Sequence, residues 1–202
     1  MKRLLLFFHI LVLCHLTAAA QINANRVMLM GRNALYYEDY ILAIQRFNSV
    51  IVAKPYLAEP YFYRGLAKFY LEDYAGAEAD CSLALERRPY NAQYYTLRGL
   101  CRVNMELYKL AVDDYRASLH QNPMERNNWH NMVLCYMELE QYEQADSALD
   151  SMMVLWPRES AQCTMKAQVS LARKDTLLAE QWVDSALVLD NYDGGAWSMK
   201  AA

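Results

Sequence analysis

Helix breakers are scarce in this sequence, with six glycines and five prolines among 202 residues. Together with many Leu, Ala, Met, Glu and Tyr, that scarcity predicts an all-α protein. Basic charge is not in excess either: the net charge is -3, which removes the electrostatic basis for nucleic-acid binding. Disorder is excluded by the 55% hydrophobic content. Catalytic signatures are missing as well. Beyond the first twenty residues only His120 and His130 remain, and neither has metal-ligand spacing to a Cys or another His. There is no glycine-rich phosphate loop and no G-x-S-x-G nucleophile motif. Acidic pairs such as Glu38-Asp39 and Glu72-Asp73 fall where short polar turns are expected. No catalytic residue, metal site or cofactor is predicted, and the expectation is a protein that is not an enzyme.

What is present begins with a distinct leader. Lys2 and Arg3 precede a nearly continuous apolar run from Leu4 to Leu16, followed by Thr17-Ala18-Ala19-Ala20 with Ala18 and Ala20 in A-x-A positions. Residues 1–20 read as a signal peptide cleaved before Gln21; the alternatives are a membrane anchor or a buried N-terminal helix. The run is shorter than the ~20 residues of a membrane span. Leu13 before Cys14 lacks the small residue of a lipobox, so a lipoprotein is not expected. Cleavage leaves 18 basic against 23 acidic residues.

A 34-residue period organises the rest. Pro55, Pro89, Pro123 and Pro157 share it, as do Gly31, Gly65 and Gly99, the alanines Ala43, Ala77, Ala111, Ala145 and Ala179, and the tyrosines Tyr40, Tyr74, Tyr108 and Tyr142. These columns imply helical hairpins. Gly and Ala permit close helix crossing, aromatic columns fill space between hairpins, and Pro stops the second helix by disfavouring helical geometry just before it. First helices are predicted near 25–37, 59–71, 93–105, 127–139 and 161–173, and second helices near 40–53, 74–87, 108–121, 142–155 and 176–189. One hairpin cannot bury its own apolar face, so stability comes from stacking.

At these columns the chain resembles the tetratricopeptide repeat (TPR), whose pattern is W-x2-L-G-x2-Y, A-x3-F, P. The Trp column holds Val27, Tyr61, Tyr95, Trp129, Cys163 and Trp197, and the Phe column holds Phe47, Cys81, Tyr115, Leu149 and Val183. The pattern departs at Val133 and Ala167 in the Gly column, at Thr176 in the Tyr column and at Asn191 in the Pro column. The resemblance implies an all-α, right-handed α-solenoid of stacked antiparallel helix pairs. The expected repeats are 24–57, 58–91, 92–125, 126–159 and 160–193, with 194–202 starting a sixth. That partial sixth repeat, lacking a polar capping helix, is expected to continue in a longer parent protein unless the natural end is unusual.

The resemblance further implies that first helices line a concave groove that binds segments of partner proteins. The expected groove residues are Met28, Arg32, Leu35 and Tyr36; Phe62, Leu66, Phe69 and Tyr70; Thr96, Leu100, Val103 and Asn104; and Asn127, His130, Asn131, Leu134 and Met137. This face is apolar and aromatic at its centre, as suits an interface core; several of these side chains are alternatively expected to pack on their own neighbours. Some members clamp a partner's C-terminal carboxylate with Lys, Asn and Arg. The matching positions here are Met28, Arg32, Tyr63, Gln93 and Leu97, so the clamp is absent.

Arg64 and Arg98 each have an Asp sixteen residues later, Asp80 and Asp114, and are expected to form structural ion pairs within their hairpins, a ligand-binding role being the alternative. Cys81, Cys101, Cys135 and Cys163 stand in core columns and read as buried free thiols, with a Cys81–Cys101 bridge left open.

The leading expectation is an exported protein–protein interaction scaffold with a protein or peptide partner, no nucleic-acid partner and no integral membrane segment after cleavage. The Ala-Ala-Ala-Gln junction and the lack of an N-x-S/T sequon place it in the periplasm or outer-membrane periphery of a bacterium. The alternatives are an accessory or regulatory array of a larger protein, with a catalytic or signalling domain beyond residue 202, and self-association through the uncapped C-terminal end.

Overall fold

The structure is a computed structural model that describes residues 23–201. The leader, residues 1–20, and Ala202 lie outside the described residues. Among the described residues there are eleven α-helices and no strand. They are α1 (Ala24–Tyr36), α2 (Tyr40–Ala53), α3 (Glu59–Tyr70), α4 (Tyr74–Arg87), α5 (Ala92–Asn104), α6 (Tyr108–Gln121), α7 (Arg126–Glu138), α8 (Tyr142–Leu155), α9 (Ser160–Ala172), α10 (Thr176–Leu189) and α11 (Gly194–Lys200). Helices α1–α4 make one compact unit, which ends at Pro89, and α5–α11 make a second, which begins at Tyr90. Within each unit every helix packs on the next in sequence, so each hairpin covers the apolar face of its neighbour.

One device ends the first helices α1, α3, α5, α7 and α9. Glu38, Glu72, Glu106, Glu140 and Lys174 adopt φ between 55° and 63°. In the first hairpin Glu38 N–H donates to Leu35 O at 3.0 Å and Asp39 N–H donates to Ala34 O at 2.8 Å, a Schellman pair that satisfies the terminal carbonyls. The same pair recurs in the other four hairpins, for example Leu107 N–H to Arg102 O at 2.8 Å. The next residue begins the second helix. Asp39, Asp73 and Asp175 accept a hydrogen bond there from the backbone of the first turn, whereas Leu107 and Gln141 offer no side-chain cap. Second helices end two residues before the prolines, where Lys54, Arg88, Asn122 and Trp156 take φ of -142° to -130° and leave the helical region.

The core shows that Gly31 and Gly99 stand opposite aromatic rings, whereas Gly65 stands opposite Asp80 and Cys81. A Cβ on Gly31 would stand 2.6 Å from Phe47 Cε1, and one on Gly99 would stand 2.9 Å from Tyr115 Cε1. Phe47 and Tyr115 are fully buried, so these rings occupy the space that the absent side chain leaves. Where Val133 and Ala167 replace glycine, the opposing residues shrink to Leu149 and Val183, both buried. The Trp column is tied by its polar tip. Tyr61 Oη donates to Pro55 O at 3.1 Å, Trp129 Nε1 to Pro123 O at 2.9 Å and Trp197 Nε1 to Asn191 O at 2.8 Å.

Candidate interaction surface

In the first unit, Phe47 at the core stacks on Tyr63, with centroids 5.7 Å apart. The Arg32 guanidinium carbon lies 5.4 Å from the Tyr63 ring centroid, and Phe62 meets Tyr63 edge-on at 5.2 Å. Tyr70 stacks on Tyr40 at 5.1 Å, and Phe69 packs edge-on against Tyr70 and Tyr74. Met28 and Leu35 are half-buried against the cluster of Ala34, Ala43, Phe47 and Ala67. Arg32 is exposed, Phe62 and Leu66 are half-buried, and Tyr36 and Tyr70 are 80% and 54% exposed. The helices α1 and α3 therefore carry an aromatic and apolar surface anchored in the core yet open to solvent.

The second unit is more polar. Leu134 is 45% exposed, and Asn104, Asn127 and His130 are exposed. Leu100 and Asn131 are half-buried, while Val103 and Met137 rest on the core around Tyr115, Leu149 and Val169. Thr96 turns inward. Its hydroxyl hydrogen-bonds Ser118 Oγ at 3.0 Å and accepts from Asn128 Nδ2 at 2.8 Å, so it serves the junction between helices. Asn104 Nδ2 is occupied by Leu100 O at 2.9 Å.

Charges on the first helices are mostly spent on structure. Arg64 Nη2 reaches Asp80 Oδ1 at 2.5 Å and Arg98 Nη2 reaches Asp114 Oδ1 at 2.7 Å. Each aspartate holds a second cation absent from the sequence reading: Lys68 at 2.8 Å from Asp80, and Arg102 at 2.8 Å from Asp114. The signal was available, since these cations stand one helical turn after Arg64 and Arg98 and lie on the same helix face. Lys166, in the Arg64 and Arg98 column, turns instead to the preceding hairpin, pairing with Asp146 at 2.6 Å and Asp150 at 2.7 Å. Trp182 occupies the column of Asp80 and Asp114 there, with Lys166 and Arg158 against its ring.

Among the described residues Cys81, Cys101, Cys135 and Cys163 are buried thiols outside any disulfide. Burial pushes the Cys135 thiol up to about 11, with Glu138 adding to the rise. No group of His, Cys, Asp or Glu among the described residues is arranged to hold a metal ion. None of the described helices is long and apolar enough to cross a membrane.

Successive helix pairs with an open aromatic face define a class of helical repeat array, and comparison with solved structures places it. No protein-family model and no curated protein matches the sequence. Among solved structures, YrrB, a TPR protein with an unusual peptide-binding site, is 14% identical and aligns with TM-score 0.81 over 94% of this chain and 97% of its own. MamA from Desulfovibrio magneticus RS-1 is 19% identical, with TM-score 0.77 over 87% of this chain and 99% of its own. The first TPR domain of Spaghetti (RPAP3), solved bound to the HSP90 peptide SRMEEVD, is 24% identical, with TM-score 0.58 over 59% of this chain and 95% of its own. The chain has the tetratricopeptide-repeat fold.

Proposed function

We propose that this protein is an exported, non-enzymatic interaction scaffold that receives a segment of a partner protein on the first-helix side of its repeats. The observation that carries this reading is the open aromatic surface of α1 and α3, where Tyr36 and Tyr70 remain solvent-exposed beside Phe62 and Leu66. Exposed aromatics on a rigid, core-anchored platform bury large area at low entropic cost when a partner covers them. Peptide binding by YrrB and by the RPAP3 domain on the same fold supports the assignment. Export rests on Lys2, Arg3, the apolar run and the Ala18-x-Ala20 junction. The mature protein accordingly works in the periplasm or at the outer-membrane periphery, and its N-terminal residue is Gln21.

The test uses the purified mature protein as bait for envelope proteins, with the double variant Phe62→Glu, Leu66→Glu as control. A specific partner retained by the wild type and lost by the variant, at unchanged helical content, supports the reading. Equal retention by both moves the site away from α3. N-terminal sequencing of the cell-derived protein checks export, and a chain that keeps Met1–Ala20 contradicts it.

A further inference from the structure

The basic residues of the later first helices are all engaged. Arg64 and Lys68 hold Asp80, Arg98 and Arg102 hold Asp114, Arg126 holds Glu159, Lys166 holds Asp146 and Asp150, and Lys200 holds Asp184. Arg32 differs. It is exposed, its guanidinium carbon lies 5.4 Å from the Tyr63 ring centroid, and among the described residues no carboxylate lies within ion-pair distance of it. Its neighbours on α1 are apolar on both sides, Met28 one turn before and Leu35 and Tyr36 one turn after. Across from it stands Tyr63 with Phe62 at its edge.

Resting on the interaction reading above, we propose that Arg32 and Tyr63 form a subsite for one carboxylate, the side chain of an Asp or Glu within an apolar segment of the partner. A guanidinium within cation–π distance of an aromatic ring keeps N–H groups available for a bidentate bond to a carboxylate. The cation–π contact favours this position of the arginine before binding, so less freedom is lost when the pair forms. Covering the surrounding apolar surface removes water and strengthens the pair. The carboxylate belongs to a side chain rather than a chain terminus because apolar surface continues on both sides of Arg32. A terminal carboxylate would leave one side uncovered and would find no second cation at Met28 or Tyr63.

The experiment is selection of a displayed random-peptide library on the mature protein, in a format that blocks the peptide C-terminus and in a second that leaves it free. Binders dependent on Phe62 and Leu66 are kept. Expected are peptides with an Asp or Glu beside bulky apolar residues in both formats, about tenfold weaker when that acid is changed to its amide or when the protein carries Arg32→Gln. The charge-reversal variant Arg32→Glu is expected to select Lys or Arg at that place. Binders that need Phe62 and Leu66 yet tolerate Arg32→Gln overturn this subsite and leave the surface assignment standing. Acid dependence seen only with a free C-terminus overturns the side-chain assignment. Failure to recover any binder sensitive to Phe62→Glu, Leu66→Glu overturns the surface reading itself.

Discussion

Replacing Asp114 by alanine isolates the energetics of the buried charge clusters. The Asp114 side chain is 3% exposed, and Arg98 and Arg102 beside it are 18% and 13% exposed, at 2.7 and 2.8 Å. Its removal leaves two largely buried guanidinium groups without their carboxylate. Breaking a buried pair in this way costs about 3–5 kcal/mol. Water reaching the arginine edges puts the expected loss near the lower end, about 3 kcal/mol. With a urea slope of about 2 kcal/mol per molar, the unfolding midpoint falls by about 1.5 M. The next hairpin supplies the control, because its same three columns hold Met132, Tyr136 and Ala148, all buried. The triple variant Arg98→Met, Arg102→Tyr, Asp114→Ala copies that apolar solution and is expected to recover more than half of the loss. Urea titration followed by circular dichroism reads both, with the slope compared between variants because repeat arrays can unfold in parts. A single variant within about 1 kcal/mol of the wild type, or a triple variant no better than the single, refutes the reasoning.

Three further outcomes are expected. Gly31→Ala places a methyl group 2.6 Å from the buried Phe47 ring and destabilises by about 1–3 kcal/mol, whereas Gly194→Ala, with nothing within 4 Å, does not; thermal melts compare them. Leu107→Asp supplies the cap that Asp39, Asp73 and Asp175 provide at the same column and stabilises by about 1 kcal/mol, since Leu107 is 44% exposed and loses little packing; a lower urea midpoint contradicts this. Four thiols per mature chain react with a colorimetric disulfide reagent under denaturing conditions and none reacts rapidly in the native state, because burial raises the Cys135 thiol to about 11 and all four side chains are enclosed; fewer than four signals a disulfide.

Repeat columns made the second helices legible to the residue, since Pro fixes where they end and the turn before Tyr40, Tyr74, Tyr108 and Tyr142 fixes where they begin. First helices end at Tyr36, Tyr70, Asn104, Glu138 and Ala172, one residue earlier than their pattern suggested. The cause is the left-handed residue at Glu38 and its equivalents, a conformation that Gly or Asn would have signalled and Glu does not. The aromatic character of the α1 and α3 surface was readable from Tyr36, Phe62 and Tyr70. The place of Tyr63 was not, because spacing alone cannot say that a ring stands between Arg32 and the core at Phe47. The inward hydrogen bonds of Thr96 were not readable for a related reason: its partners Ser118 and Asn128 are 22 and 32 residues away, in other helices.

Site-specific photo-crosslinking in the native cell tests the central claim most directly. A photoreactive residue at Tyr36 or Tyr70, exposed on the α1 and α3 surface, is compared with one at Val52 or Tyr56, which are also exposed but lie elsewhere in the first unit. One protein species crosslinked from Tyr36 and Tyr70, and absent from Val52 and Tyr56, is the result expected for a partner seated on the first-helix surface. The same species captured from Val52 and Tyr56 and missing from Tyr36 and Tyr70 contradicts it.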